Sequence, residues 1–249
     1  MKKNYFIIFT LLFLAALGNV HAQVSSYSFA ASSGTFTPIS VGSNLSSIEA
    51  DDALSSSTPI GFSFVFDGST FTNFKASSNG FLSFGSGTSS ISGNTSTAGS
   101  SEKPLLAPLW DDLDGRAATS SANYIMTGTA PNRVLTMEWL NYEWSYNSGV
   151  ENISFQVKLY ETTNAVEFIY RDEAGTITSP DATIGLVGSS NYLVLNNSTA
   201  AATASSSTFT TSISTAPATG QVYTFTPPSC PKPTSLNVTN LTATSVDLG

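Results

Sequence analysis

The sequence predicts an all-β fold, a jelly-roll-like or elaborated antiparallel β-sandwich, and three observations carry that expectation. Apolar residues alternate with polar ones at a period of two over several short stretches. Asn-Gly and Asp-Gly pairs fall between such stretches, where a hairpin reverses. Ser, Thr, Gly and Asn dominate, only 10% of residues are charged, and no amphipathic stretch of helical period is long enough to form a helix.

Taken along the chain, Tyr27-Ser-Phe29 at the front and Val222-Tyr-Thr-Phe225 at the back are expected to pair as neighbours and bring the two ends of the domain together. Ile60, Phe62, Phe64 and Phe66 fall on one face of a strand that ends at the Asp67-Gly68 turn. Phe71 to Ala76 returns, Asn79-Gly80 turns again, and Phe81 to Phe84 completes a meander. Arg133 to Leu140, Ile153 to Tyr160 and Ala165 to Arg171 alternate in the same way, with Thr162-Thr-Asn164 between the last two. Thr183 to Val187, Tyr192 to Leu195 and Gln221 to Thr226 are shorter candidates. Phe62, Phe64, Trp139, Phe155, Val157 and Leu159 are the expected core. About ten to twelve strands exceed the seven to nine of an immunoglobulin domain.

Gly85 to Ser101 and Asn196 to Ser214 are so rich in Ser, Thr, Gly and Ala that they are expected as surface loops or irregular edge segments. Pro227-Pro228, with Pro231 and Pro233, reads as a stiff connector. Residues 23–227 are therefore one β-sandwich domain, and 228–249 a linker with the start of another module. In that last segment Pro231, Leu236, Leu241, Val246 and Leu248 resemble the opening strands of a fibronectin type III domain. At the other end, Lys2 and Lys3, an apolar run from Tyr5 to Leu17 and the small residues before Ala22 give residues 1–22 the layout of a secretory signal peptide, with Gln23 first in the mature chain. The apolar run is too short to span a bilayer, so the mature chain is expected to have no membrane span.

Loss of the leader removes Lys2, Lys3 and His21. Nine Lys and Arg less those two leave seven, against 17 acidic residues, for a formal charge of −10 and no histidine. No Ser-His or Cys-His mechanism is possible without an imidazole. So acidic a chain also repels phosphate backbones, which removes nucleic acid as a partner. Cys230 is the single cysteine, and an odd thiol in a secreted chain looks for its partner elsewhere.

Five segments together carry a second resemblance: Pro59-Ile-Gly-Phe-Ser-Phe-Val-Phe-Asp-Gly68, Ser77-Ser-Asn-Gly-Phe-Leu-Ser-Phe84, Ala107-Pro-Leu-Trp-Asp-Asp-Leu-Asp114, Asn132-Arg-Val-Leu-Thr-Met-Glu-Trp139 and Ser154-Phe-Gln-Val-Lys-Leu-Tyr-Glu161. They resemble an N-terminal domain of bacterial secreted surface proteins and are similar to nidogen-like extracellular domains. The resemblance implies a modular protein that continues with fibronectin type III repeats and leaves the cell by type IX secretion. Its motifs are those of a fold rather than of a reaction.

Two candidate sites follow from the residues. Asp111, Asp112 and Asp114 cluster before Gly115, and hard cations such as calcium want several oxygens on a tight turn. The alternative is a strand end whose acids cap backbone amides. Tyr142, Trp144 and Tyr146 follow Leu135, Met137 and Trp139 on the opposite parity, so an unbroken strand would expose them as a ligand-binding platform for a glycan or other extracellular polymer. Packing is the competing role for these rings. No catalytic residues are assigned, because Glu138 and Glu143 would fall on opposite faces of one straight strand and no other acid pair converges. The expectation is a non-catalytic extracellular module for adhesion or substrate recognition, without a cofactor other than calcium. A carbohydrate-binding accessory domain of a polysaccharide-degrading enzyme is the alternative.

Overall fold

The structure is a computed structural model of the chain and describes residues 22–96, 100–173 and 175–229. Residues 1–21, where the signal peptide is expected, and 230–249, where Cys230 and the start of a fibronectin type III domain are expected, lie outside the described residues.

Fifteen strands run in chain order: β1 (Ser28–Ser33), β2 (Ser43–Asn44), β3 (Thr58–Phe66), β4 (Ser69–Ala76), β5 (Leu82–Ser83), β6 (Leu105–Trp110), β7 (Leu113–Asp114), β8 (Ser121–Thr127), β9 (Val134–Trp144), β10 (Ile153–Tyr160), β11 (Val166–Asp172), β12 (Thr183–Val187), β13 (Tyr192–Leu195), β14 (Ala204–Ser205) and β15 (Gln221–Thr226). They form two antiparallel sheets, ordered β1-β15-β11-β10-β9-β8-β2, with β7 also on β9, and β14-β13-β12-β6-β5-β4-β3. The all-β sandwich is thus observed. The two ends of the domain do pair, with Phe29 opposite Phe225.

Alternation explains the best-formed elements. In β3, Thr58, Ile60, Phe62, Phe64 and Phe66 are buried and the residues between them are exposed, a period of two over nine positions. All six expected core residues are buried. Trp139 stacks on Phe155 at 5.0 Å between ring centroids. Polar tips of the interior aromatics tie the sheets together: Trp139 Nε1 donates to the Ser77 carbonyl at 2.8 Å, and Tyr170 Oη to the Pro108 carbonyl at 2.6 Å.

Three details depart from the expectations or add to them. The strand expected over Phe81 to Phe84 contracts to Leu82–Ser83, because the chain closes a tight turn before it, with Ser77 N bonded to the Phe81 carbonyl. Gly80 sits in that turn at φ +68°, and a Cβ there would lie 2.0 Å from the Leu109 carbonyl oxygen, so only glycine fits. Leu105–Trp110 is buried at every position and so shows no alternation to read. The reason lies in the third detail. The two Ser- and Gly-rich segments lie over the outer face of the second sheet, where Ile91 and Phe209 pack against Phe81, Leu105, Trp110, Val187 and Val194. Trp110 Nε1 donates to the Ile91 carbonyl at 2.9 Å, and Phe209 meets Tyr192 edge-on at 5.0 Å. Composition alone hid the few apolar residues that do this.

Candidate functional site

The platform expected at Tyr142, Trp144 and Tyr146 does not form. Along β10 the step from Ile153 to Phe155 is two residues, but their partners on β9, Tyr142 and Trp139, are three apart, so β9 carries one extra residue. The bulge includes Asn141, at φ 55°. Beyond it the parity switches, and Tyr142 and Trp144 join Leu135, Met137 and Trp139 in the core, both fully buried. Tyr142 Oη donates to the Ile48 carbonyl at 2.7 Å, and burial pushes its phenol well above the usual range. Of the three rings only Tyr146 is exposed, at 50%. The same bulge puts Glu138 and Glu143 on one parity, yet their carboxylates are engaged separately. Glu138 accepts from Ile39 N and from Gln156 Nε2 (2.6 Å), and Glu143 accepts from Ser148 Oγ and Gly149 N (2.7 Å).

The three expected metal ligands are pulled apart in role. Asp111 Oδ2 accepts from Trp144 Nε1 at 2.6 Å and from Asp181 N at 2.9 Å, and its Oδ1 from Asp112 N. Asp114 is held by Arg116, whose Nη2 stands 2.6 Å from it. Asp112 instead converges with Asp51 and Asp52, whose carboxylate oxygens lie within 4.8 Å of one another. Asp51 arrives through a backbone bridge to Asp114. Asp52, at φ 48°, accepts from Asn79 Nδ2 at 2.7 Å, while Asn79 Oδ1 takes Leu113 N at 3.1 Å. A fully buried Asn in the Asn-Gly turn therefore sets the position of both acidic loops. Sequence reading treated that Asn only as a turn former.

Acidic groups crowd this end of the sandwich, opposed by Arg116 against Asp114 and Asp51. Burial, then the charges of Asp52 and Asp51, pushes the Asp112 carboxyl up to about 6. Burial, and then Asp111, pushes Asp181 up to about 6 as well. Asp51 is raised chiefly by burial, and its Oδ1 is buried without a hydrogen-bond partner among the described residues. The oxygen-only donor set suits a hard cation such as calcium, with three carboxylates supplying part of the six to eight oxygens such an ion takes.

A second feature lies on the outer face of the first sheet. The extended segment 35–41 crosses it as a strap. Phe36 packs on Ile169 and Val222 beneath Arg171, whose guanidinium carbon stands 5.1 Å from the ring centroid. Gln156 Nε2 donates to the Thr37 carbonyl at 2.8 Å, and Glu138, fully buried, accepts from Ile39 N. Between strap and sheet runs an open groove of about 310 Å³, lined in part by Thr37, Ser40, Val41, Ile125, Thr136 and Lys158.

The two packed antiparallel sheets define a β-sandwich module. The family model described as NIDO related matches residues 26–227, and the chain belongs to this nidogen-related family. No curated protein and no solved structure matches the chain. Among the described residues no helix is long and apolar enough to cross a membrane.

Proposed function

We propose that the chain is a non-catalytic module of a secreted or cell-surface protein, serving adhesion or substrate recognition. The observation that supports this most is the fate of the acids on β9. Glu138 and Glu143 are both consumed by structural hydrogen bonds, to the strap and to the turn at Ser148-Gly149, and neither is free to act as acid or base on a bound polymer. The partner is an extracellular polymer, glycan or surface protein. A carbohydrate-binding accessory role is the second reading, favoured by the hydroxyl-lined groove under the strap. Calcium belongs to the proposal as a stabiliser of the acidic loops at Asp51, Asp52 and Asp112, since Asp51 Oδ1 is buried with no hydrogen-bond partner among the described residues.

The test is to incubate the mature chain with polysaccharides and matrix proteins and follow both binding and chain cleavage. Binding without turnover is the expected result. Turnover that disappears in Glu138→Gln or Glu143→Gln would overturn the non-catalytic reading. Mass spectrometry of exported protein should find Gln23 first, and an intact Met1 terminus would contradict secretion by a cleaved leader.

A further inference from the structure

We propose that the groove between the strap 35–41 and the first sheet binds a neutral, hydroxyl-rich polymer, a polysaccharide strand that carries no charge. The inference rests on the recognition reading above and gives it a place and a ligand class, in a different part of the molecule from the aromatic stretch on β9.

Register builds the site. Thr224, Glu167, Lys158, Thr136 and Ile125 are successive partners across β15, β11, β10, β9 and β8, and so form one row over five strands. The next row, through Val222, Ile169, Gln156 and Glu138, is the one the strap covers. The wall of the groove is thus pinned by side chains that are themselves buried, Gln156 at 3% and Glu138 at 0% exposure. A wall fixed in advance reduces the ordering cost of binding.

Chemistry selects the ligand. Lys158 Nζ stands 2.8 Å from Glu167 Oε1, so the row carries an ammonium and a carboxylate and no net charge. A polyanion would meet this balanced pair on a domain of formal charge −10, and a polycation would find its only nearby carboxylate of the row already paired. Hydroxyl groups fit better. Thr37, Ser40 and Thr136 line the groove and both donate and accept, Lys158 donates, and Glu167, its ion-pair partner in the same row, accepts beside it. Val41, 76% exposed, and Ile125 supply an apolar flank for the C–H face of a sugar ring. Tyr160, two residues along from Lys158 on the same face, is half-buried with its hydroxyl 3.3 Å from Glu167 and places a ring beside the row. The volume, about 310 Å³, is at the small end for ligand sites, which suits a short stretch of a longer polymer.

The experiment is affinity electrophoresis of the mature chain through gels containing hydroxyethylcellulose, xylan or mannan, with polygalacturonate and immobilised collagen as charged and protein probes. At least one neutral polysaccharide should retard the protein. Ser40→Trp, an exposed strap position, fills the groove and should weaken that retardation at least ten-fold at an unchanged melting temperature, and Lys158→Ala should act in the same direction. Retardation that survives both substitutions overturns the groove assignment and leaves the recognition reading intact. Absence of retardation by every neutral probe also overturns it. In that case binding to collagen or polygalacturonate preserves recognition, and binding to none of the probes removes both.

Discussion

Trp144 Nε1 donates a 2.6 Å hydrogen bond to Asp111 Oδ2. One residue looked like a sugar-stacking ring and the other like a calcium ligand, and they meet in the interior instead. The bond joins β9 to the turn after β6, and the same oxygen also accepts from Asp181 N. A charged acceptor in a dry site makes this contact stronger than a neutral pair.

Trp144→Ala should therefore act on stability. Truncating a buried Trp costs about 3 to 5 kcal/mol, and chemical denaturation would read it. Trp144→Phe keeps part of the packing but strips Asp111 of a donor, a loss of about 1 to 3 kcal/mol. An unchanged unfolding midpoint in the Ala variant would mean that the ring is not in the core.

Asn141 holds the bulge that turns Tyr142 and Trp144 inward. Its φ of 55° lies in the left-handed region, which Asn and Gly tolerate and β-branched residues do not. Asn141→Val should lower the denaturant midpoint far more than Asn141→Gly, although both lose the side-chain bonds to the Thr119 carbonyl and Arg171. Equal losses would show that the side-chain bonds, and not the backbone, set the register.

Burial raises the Glu138 carboxyl, and the bonds from Gln156 and Ile39 with the charge of Arg171 only partly oppose it. A raised folded value means that the folded state holds a proton the unfolded chain has released, so this contribution is present below the unfolded value and is lost as pH rises through the folded one. Glu138→Gln removes the titration. The variant should gain stability relative to wild type as pH climbs from about 4 to about 7, measured by denaturant unfolding at each pH. A difference that stays flat with pH would place the proton elsewhere.

Calcium should raise the melting temperature if Asp51, Asp52 and Asp112 hold it, because a ligand of the folded state alone stabilises by mass action. Asp112→Asn should abolish the rise, and it should also raise the melting temperature in chelator by removing the burial of a charge and the repulsion from Asp52 and Asp51 that together push Asp112 up to about 6. Identical melting curves in millimolar calcium and in chelator would leave the three as loop acids.

Much of the fold was legible because a half-buried strand writes itself as alternation. The alternation of β3 and the hairpin of β10 and β11 needed nothing beyond the period of two and the turn residues. Where a strand is buried on both faces that signal vanishes, which is why β6 could not be read. The candidate site was legible only in part. The acids before Gly115 were visible as an acidic run, but that Asp112 converges with Asp51 and Asp52 depends on Asn79 bridging two loops.

The sequence by itself determined the class of fold and the joining of the domain's two ends, since each depends on composition or on local period. Tertiary structure decided where Tyr142, Trp144, Asp111 and Glu138 point. One extra residue at Asn141 reverses the face of every side chain after it, and the strap 35–41 buries a carboxylate more than a hundred positions from the chain's start. Neither event leaves a mark on the local pattern, because a parity switch is set by pairing with β10 and the burial of Glu138 by a segment about a hundred residues away in sequence.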